Sequence, residues 1–262
     1  MPCDVKWEFN LKRRDQKIFC GKRGFMRPEI YLFGDSITEA SFCDGGWGAS
    51  LAHHFSRTVD LVLRGYSGYN TRWALEVIEK VFPEVSRGGG APLAVTVFFG
   101  ANDACLPDRC SAFQHVPIHE YKQNLHSIVS FLKKRWPTTL VLLITPPPID
   151  EEGRLRNPYV ENPMGLPERT NEAAGAYAKA CVDVAGECGG PVVDIWTKMQ
   201  HISDWPRICL SDGLHLTQSG NKIVFEEVVA RLREEGISLE TLLVDLPHIA
   251  EIDPNDPLKS FS

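Results

Sequence analysis

The sequence has no surplus of basic residues: 28 Lys plus Arg stand against 34 Asp plus Glu, a net charge of −6. A mildly acidic chain has no overall field for holding DNA, RNA or an anionic lipid surface, so nucleic acid is not an expected partner. No run of 18 apolar residues occurs, so no integral membrane segment is expected. The opening MPCDVKWEFNLKRRDQKIFC lacks the apolar stretch of a secretory signal, and the chain has no Asn-x-Ser/Thr site. Eight cysteines are present, at 3, 20, 43, 105, 110, 181, 188 and 209, but no Cys-x-x-Cys pair, which speaks against zinc. Reduced thiols in the cytoplasm are the expectation, with a transit peptide in the basic start as the alternative. There is no internal repeat, no Gly-x-x-x-x-Gly-Lys-Ser/Thr phosphate loop and no linker across the middle of the chain.

What is there reads as one globular domain with two odd ends. Hydrophobic residues make up 43% and charged residues 24%, ordinary globular usage that argues against disorder. Residues 1–25 are polar and basic without periodicity and read as a disordered extension. Residues 26–244 are the expected domain. Residues 245–262, with Pro247, Pro254 and Pro257, read as an extended tail on the surface.

Within the domain, strand and helix patterns alternate. Glu29–Phe33, Val59–Leu63, Leu93–Phe99, Leu140–Ile144 and Pro191–Ile195 are short apolar runs, as parallel strands covered on both faces must be. Ile118, Tyr121, Leu125, Ile128, Val129, Leu132 and Trp136 form one stripe at helical period, ended by Pro137. Thr71 is placed to cap a helix that Pro83 stops. Pro167 suits the first turn of a helix running to about Cys188. A last helix spans 217–235 and closes at Gly236. The alternation predicts βαβ crossovers and a three-layer α/β/α domain.

Open α/β sheets bind ligands beyond the carboxyl ends of their strands. Gly34-Asp35-Ser36 follows the first run, Gly65-Tyr66-Ser67-Gly68-Tyr69-Asn70 the second and Gly100-Ala101-Asn102-Asp103 the third; Asp212-Gly213-Leu214-His215 comes beyond the fifth. A hydroxyl, two glycine turns, an amide, a carboxylate and an imidazole thus share one rim. Alone, Gly-Asp-Ser is a helix-capping turn; four blocks on one rim fit acyl transfer. Ser36 needs a base to take its proton, and His215 suits that role. Asp212, three residues before it, would hold the imidazole tautomer. The Ser36 and Gly68 backbone N–H groups and the Asn102 side-chain amide would receive an oxyanion. Tyr69, Asp103 and Trp205 are expected to border the substrate. His53-His54 and the His115/His119 pair read as solvated or core histidines, and Cys105 and Cys110 as packing or free thiols.

These four blocks resemble those of the SGNH, or GDSL, hydrolases. From Arg27 onward the chain is similar to the isoamyl acetate-hydrolysing esterase branch, above all its plant members, through GDSITEASFCDGGWGASLA and LRGYSGYNTRWAL. Residues 1–25 precede the usual start of that branch, near Met26. The resemblance implies a flavodoxin-like, five-stranded parallel sheet in order 2-1-3-4-5. It implies Ser36 as nucleophile, His215 as base, Asp212 as its partner, and Gly68 with Asn102 in the oxyanion hole. The expected reaction is hydrolysis of small carboxylic esters through an acyl-enzyme, with no metal and no cofactor. Sugar deacetylation and acyl transfer on the same site are the alternatives, and oligomeric state is left open.

Overall fold

The computed structural model describes residues 27–82, 90–158 and 160–261. The extension expected over 1–25 and the helix-stopping role of Pro83 lie outside the described residues. In chain order the elements are β1 (Glu29–Gly34), α1 (Ser36–Glu39), α2 (Trp47–His54), β2 (Asp60–Gly65), α3 (Thr71–Val81) and β3 (Ala94–Phe98). They continue with α4 (Ile118–Arg135), β4 (Leu140–Ile144), α5 (Glu151–Arg156), α6 (Asn171–Glu187), β5 (Val192–Val193), α7 (Ile195–Gln200), α8 (Trp205–Cys209) and α9 (Gln218–Glu234). The strands form one parallel sheet in the expected order 2-1-3-4-5.

Alternation along each strand sends apolar side chains to both faces. Ile30 and Leu32 of β1, Phe98 of β3 and Leu142 and Ile144 of β4 pack with Trp47 and Leu51 of α2, with Phe55 just after it, and with Val224, Val228 and Leu232 from α9. Phe33, Val95, Val97, Val141 and Leu143 point the other way, against Ala74 and Ile78 of α3, Leu125 and Ile128 of α4 and Val184 of α6. β3 is buried along its whole length, whereas β2, at the sheet edge, is only half covered.

Three boundaries differ from expectation, each because a side chain found a better partner. The fifth strand ends at Val193, since the Asp194 carboxylate accepts from the Thr197 N–H at 3.0 Å and starts α7. Asn70, not Thr71, caps α3, its amide oxygen accepting from the Trp73 N–H at 2.9 Å; Thr71 is thereby freed to turn inward. Thr170 caps α6, so Pro167, Glu168 and Arg169 precede the helix, and the latter two are drawn into a buried ion network. α9 begins after its Thr217 cap and closes at Gly236, whose φ of +84° favours glycine. Residues 245–261 lie on the surface with two short 3-10 turns, Ile249–Glu251 and Pro257–Phe261, and Asp245 pairs with Arg27 at 2.7 Å and Arg57 at 3.3 Å. Among the described residues no helix is long and apolar enough to cross a membrane.

Candidate active site

Ser36 sits at the first position of α1, directly beyond the carboxyl end of β1. The strand turns into the helix there because the buried Asp35 carboxylate accepts from the Ile37 N–H at 3.0 Å. Gly34 is required by space: a Cβ there would lie 2.1 Å from Thr38 Oγ1 and 2.6 Å from the Phe98 carbonyl. The hydroxyl so placed lies 2.9 Å from His215 Nε2. His215 Nδ1 lies 2.8 Å from Asp212 Oδ2.

Asp212 and His215 share one turn rather than facing each other across the fold. Asp212 Oδ1 accepts from the backbone N–H of Leu214 at 3.0 Å and of His215 at 2.8 Å. Ser211 N–H donates to the His215 carbonyl at 2.8 Å, and a Leu210–Leu216 bridge closes the loop. Gly213, at φ +89°, lets this loop lie against α5; a Cβ would meet Arg154 N and the Asp150 carbonyl at 2.5 Å each. Burial disfavours the charged form of Asp212, but the hydrogen bond and charge of His215 and the two backbone N–H groups outweigh it. The carboxyl is held well below the usual carboxylate range. An ionised Asp212 assigns the Nδ1 proton of His215 to its own side, which leaves Nε2 as the acceptor facing Ser36.

Three N–H donors border the same space. The Ser36 N–H opens a helix and so has no intrahelical partner. Gly68 holds φ +78°, and its N–H has no hydrogen-bond partner among the described residues. Asn102 donates through Nδ2 to the Tyr69 carbonyl at 2.9 Å, which leaves one N–H of that amide. Its Oδ1 accepts from Arg169 Nη2 at 3.0 Å and Gln114 Nε2 at 3.2 Å, so the oxygen and nitrogen cannot trade places without losing both bonds. Gln114 Nε2 also donates to the Gly68 carbonyl at 2.9 Å. Ser36, Gly68, Asn102, Asp212 and His215 all line one cavity of about 270 Å³, with Ser67, Gln114, Arg154, Asn157, Pro158, Arg169 and Leu214.

Three expected substrate neighbours are elsewhere. Tyr69 contributes its carbonyl to Asn102, while its ring packs between Tyr66 and Trp73 at centroid distances of 5.4 and 5.9 Å. Asp103 is fully buried and accepts from both the N–H and the hydroxyl of Thr71, an anchor between the β3 loop and α3. Burial pushes its carboxyl up to about 6. Trp205 opens α8 and packs against the core beneath it, off the cavity wall. Conversely, Gln114, Arg154, Glu168 and Arg169 carry much of the site and were not expected from the sequence. The one local signal for the last two was Thr170: read as the α6 cap, it would have left Glu168 and Arg169 outside the helix.

The arrangement can take a proton from a hydroxyl, deliver it elsewhere, and hold an oxyanion. Among the described residues no cluster of three or more His, Cys, Asp or Glu side chains could hold a metal ion. The family model described as GDSL-like lipase/acylhydrolase matches residues 30–228. A GDSL esterase/lipase of Arabidopsis thaliana is 70% identical over 237 residues, covering 90% of this chain and 98% of the relative. The human isoamyl acetate-hydrolyzing esterase 1 homolog is 43% identical over 239 residues, covering 90% and 93%. A lipase/acylhydrolase from Enterococcus faecalis of known crystal structure superposes with a TM-score of 0.63 at 24% identity, over 84% of this chain and 98% of that one. The sheet order and its surrounding helices are those of the SGNH hydrolase fold.

Proposed function

We propose that this chain, which belongs to the GDSL-like lipase/acylhydrolase family and is a carboxylic ester hydrolase, cleaves small carboxylic esters through an acyl-enzyme on Ser36. The observation that carries this reading is the unbroken chain of short contacts from Ser36 Oγ through His215 to Asp212 on the wall of one cavity. His215 Nε2 takes the Ser36 proton as Oγ attacks the ester carbonyl. The tetrahedral oxyanion forms toward the N–H groups of Ser36, Gly68 and Asn102. Asp212 stabilises the imidazolium, which then protonates the leaving alcohol. Water repeats the sequence on the acyl-enzyme and frees Ser36.

The size of the cavity supports a short acyl group: about 270 Å³ lies just below the range for drug-sized small-molecule sites, roughly 300–1,000 Å³. The human relative is named for isoamyl acetate, an acetyl ester. A second reading, removal of acetyl groups from a sugar, is favoured by the lining itself, nine of whose twelve residues are polar. Hydrolysis of p-nitrophenyl acetate, butyrate and octanoate, with acetate release from an acetylated monosaccharide alongside, tests both. The reading expects kcat/KM to fall from acetate to octanoate and to vanish with Ser36→Ala. A preference for octanoate, or activity retained in Ser36→Ala, would overturn it.

A further inference from the structure

Three buried charged side chains at the cavity are not used by the chemistry above: Arg154 and Arg169 on its wall and Glu168 between them. Arg154 is 2% exposed, Glu168 1% and Arg169 3%. Burying charge is costly, and a buried ion pair is often no more stabilising than apolar residues of the same size. Stability alone therefore gives a weak reason for this cluster. Its connections give a stronger one. Glu168 Oε1 accepts from Arg154 Nε at 2.7 Å and from Arg169 Nη1 at 2.8 Å, so one oxygen joins both guanidiniums.

Each arginine then reaches one end of the reacting site. Arg154 Nη1 donates to Asp212 Oδ2 at 3.0 Å, the oxygen that also meets His215, and to the Asp212 carbonyl at 3.1 Å. With two backbone N–H groups on Oδ1, that carboxylate has two partners on each oxygen. Arg169 Nη2 donates to Asn102 Oδ1 at 3.0 Å and to Gln114 Oε1 at 2.9 Å, and its Nε to the Ala101 carbonyl at 2.8 Å. The two amides it holds are the oxyanion donor and the side chain that pins the Gly68 turn.

We propose that Arg154–Glu168–Arg169 is a buried positioning relay that aims both ends of the site at once: Asp212, and through it His215, at one end, and the Asn102 amide at the other. The proposal rests on the Ser36 reading of the site. Arg154 and Arg169 act through residues that touch the reacting atoms. A planar guanidinium is needed at position 169, because four acceptors in four directions must be met; a lysine ammonium has no such fork.

The test uses the full chain and p-nitrophenyl acetate, with Ser36→Ala as the reference for the underlying reading. Arg169→Met is expected to lower kcat roughly 10- to 100-fold, less than loss of an oxyanion donor itself, with KM within twofold. In an Asn102→Ala background the same change should cost less than threefold more, since the residue it positions is gone. Arg169→Lys should not restore kcat. Arg154→Met removes a cation behind the Asp212–His215 pair. The carboxylate against that imidazole is then Asp212, with no guanidinium beside it, while the buried Asp35 carboxyl keeps its proton up to about 7, so the acid limb of the kcat/KM profile should move to higher pH; with Arg169→Met it should stay. Glu168→Gln keeps the shared acceptor and serves as the milder variant if either methionine variant fails to fold; it too should lower kcat with KM within twofold. Variants that lose melting temperature but keep kcat within twofold and the pH limb unmoved would overturn the relay while leaving Ser36 intact. An active Ser36→Ala would instead overturn the reading on which the relay depends.

Discussion

Residues 34–103 and residues 145–215 each supply half of the site, and the two halves are held in different ways. In the first, every functional group projects from a tight turn at a strand end. Asp35 and Asn70 cap the helices that follow, and glycines allow backbones to touch: a Cβ on Gly65 would lie 2.0 Å from Glu39 N. In the second, the chain makes longer excursions after β4 and β5, and its groups are located by buried charge. The carboxyls register the contrast. Asp35 and Asp103 have no ion-pair partner among the described residues, and burial pushes them up to about 7 and about 6. Asp212 lies against His215 and Arg154 and is held low. Backbone geometry thus aims Ser36, Gly68 and Asn102, and charge aims His215.

Ser36→Ala is expected to have the largest effect. It removes the group the first half exists to present, and turnover should fall about a million-fold while melting temperature stays near that of the native chain. Comparable activity would show that the first half does not carry the nucleophile. Next comes Asn102→Ala, which should lower kcat roughly 100- to 1,000-fold with KM little changed. Asn102→Asp should be worse, because a carboxylate there repels the developing oxyanion. A tenfold or smaller change with a large loss of stability would make Asn102 scaffold.

Asp103 sharpens the distinction between site and support within the first half. Thr71→Val removes the hydroxyl that bridges Asp103 and the Asn124 amide, the latter at 3.0 Å. It should cost about 1–3 kcal/mol, hence roughly 3–10 °C of melting temperature, with KM unmoved. A raised KM with unchanged stability would return Asp103 to the substrate.

The smallest effect concerns Asp35. Its carboxyl binds a proton in the folded chain up to about 7 but, unfolded, only below about 3.8. The folded state therefore holds the extra proton in between, and stability falls as pH rises through that window. Asp35→Asn keeps an oxygen for the Ile37 N–H and has no such proton. Its melting temperature should drop less between pH 5 and pH 8 than that of the native chain; an equal drop would contradict the assignment.

The same division explains what could be read from the sequence. Strand ends, turns and caps are local, so the strand positions, Ser36, Gly68 and Asn102 were legible, as was the Asp212–His215 turn with its three-residue spacing; the sheet order followed only from the resemblance to the SGNH hydrolases. Errors came where two local solutions competed: Asn70 against Thr71 for one cap, Thr170 against Pro167 for the start of α6. Arg154, Glu168, Arg169 and Gln114 were illegible for a different reason. Most of their partners lie 12 to 68 residues away, and apart from the Thr170 cap little in their neighbourhoods distinguishes them from surface charge or loop amides. Tyr69, Asp103 and Trp205 failed in the opposite sense, since proximity in sequence to the site did not decide which way each side chain faces.

We propose Ser36 as the nucleophile, made reactive by His215 and Asp212 in the second half of the molecule. The most direct test is labelling with a p-nitrophenyl phosphonate, followed by intact-mass and peptide analysis, in the native chain and in His215→Ala. One adduct per chain is expected, on Ser36, forming in step with loss of esterase activity and at least a hundredfold more slowly without His215. Complete inactivation with the adduct on another residue, or labelling of Ser36 at an unchanged rate in His215→Ala, would contradict the proposal.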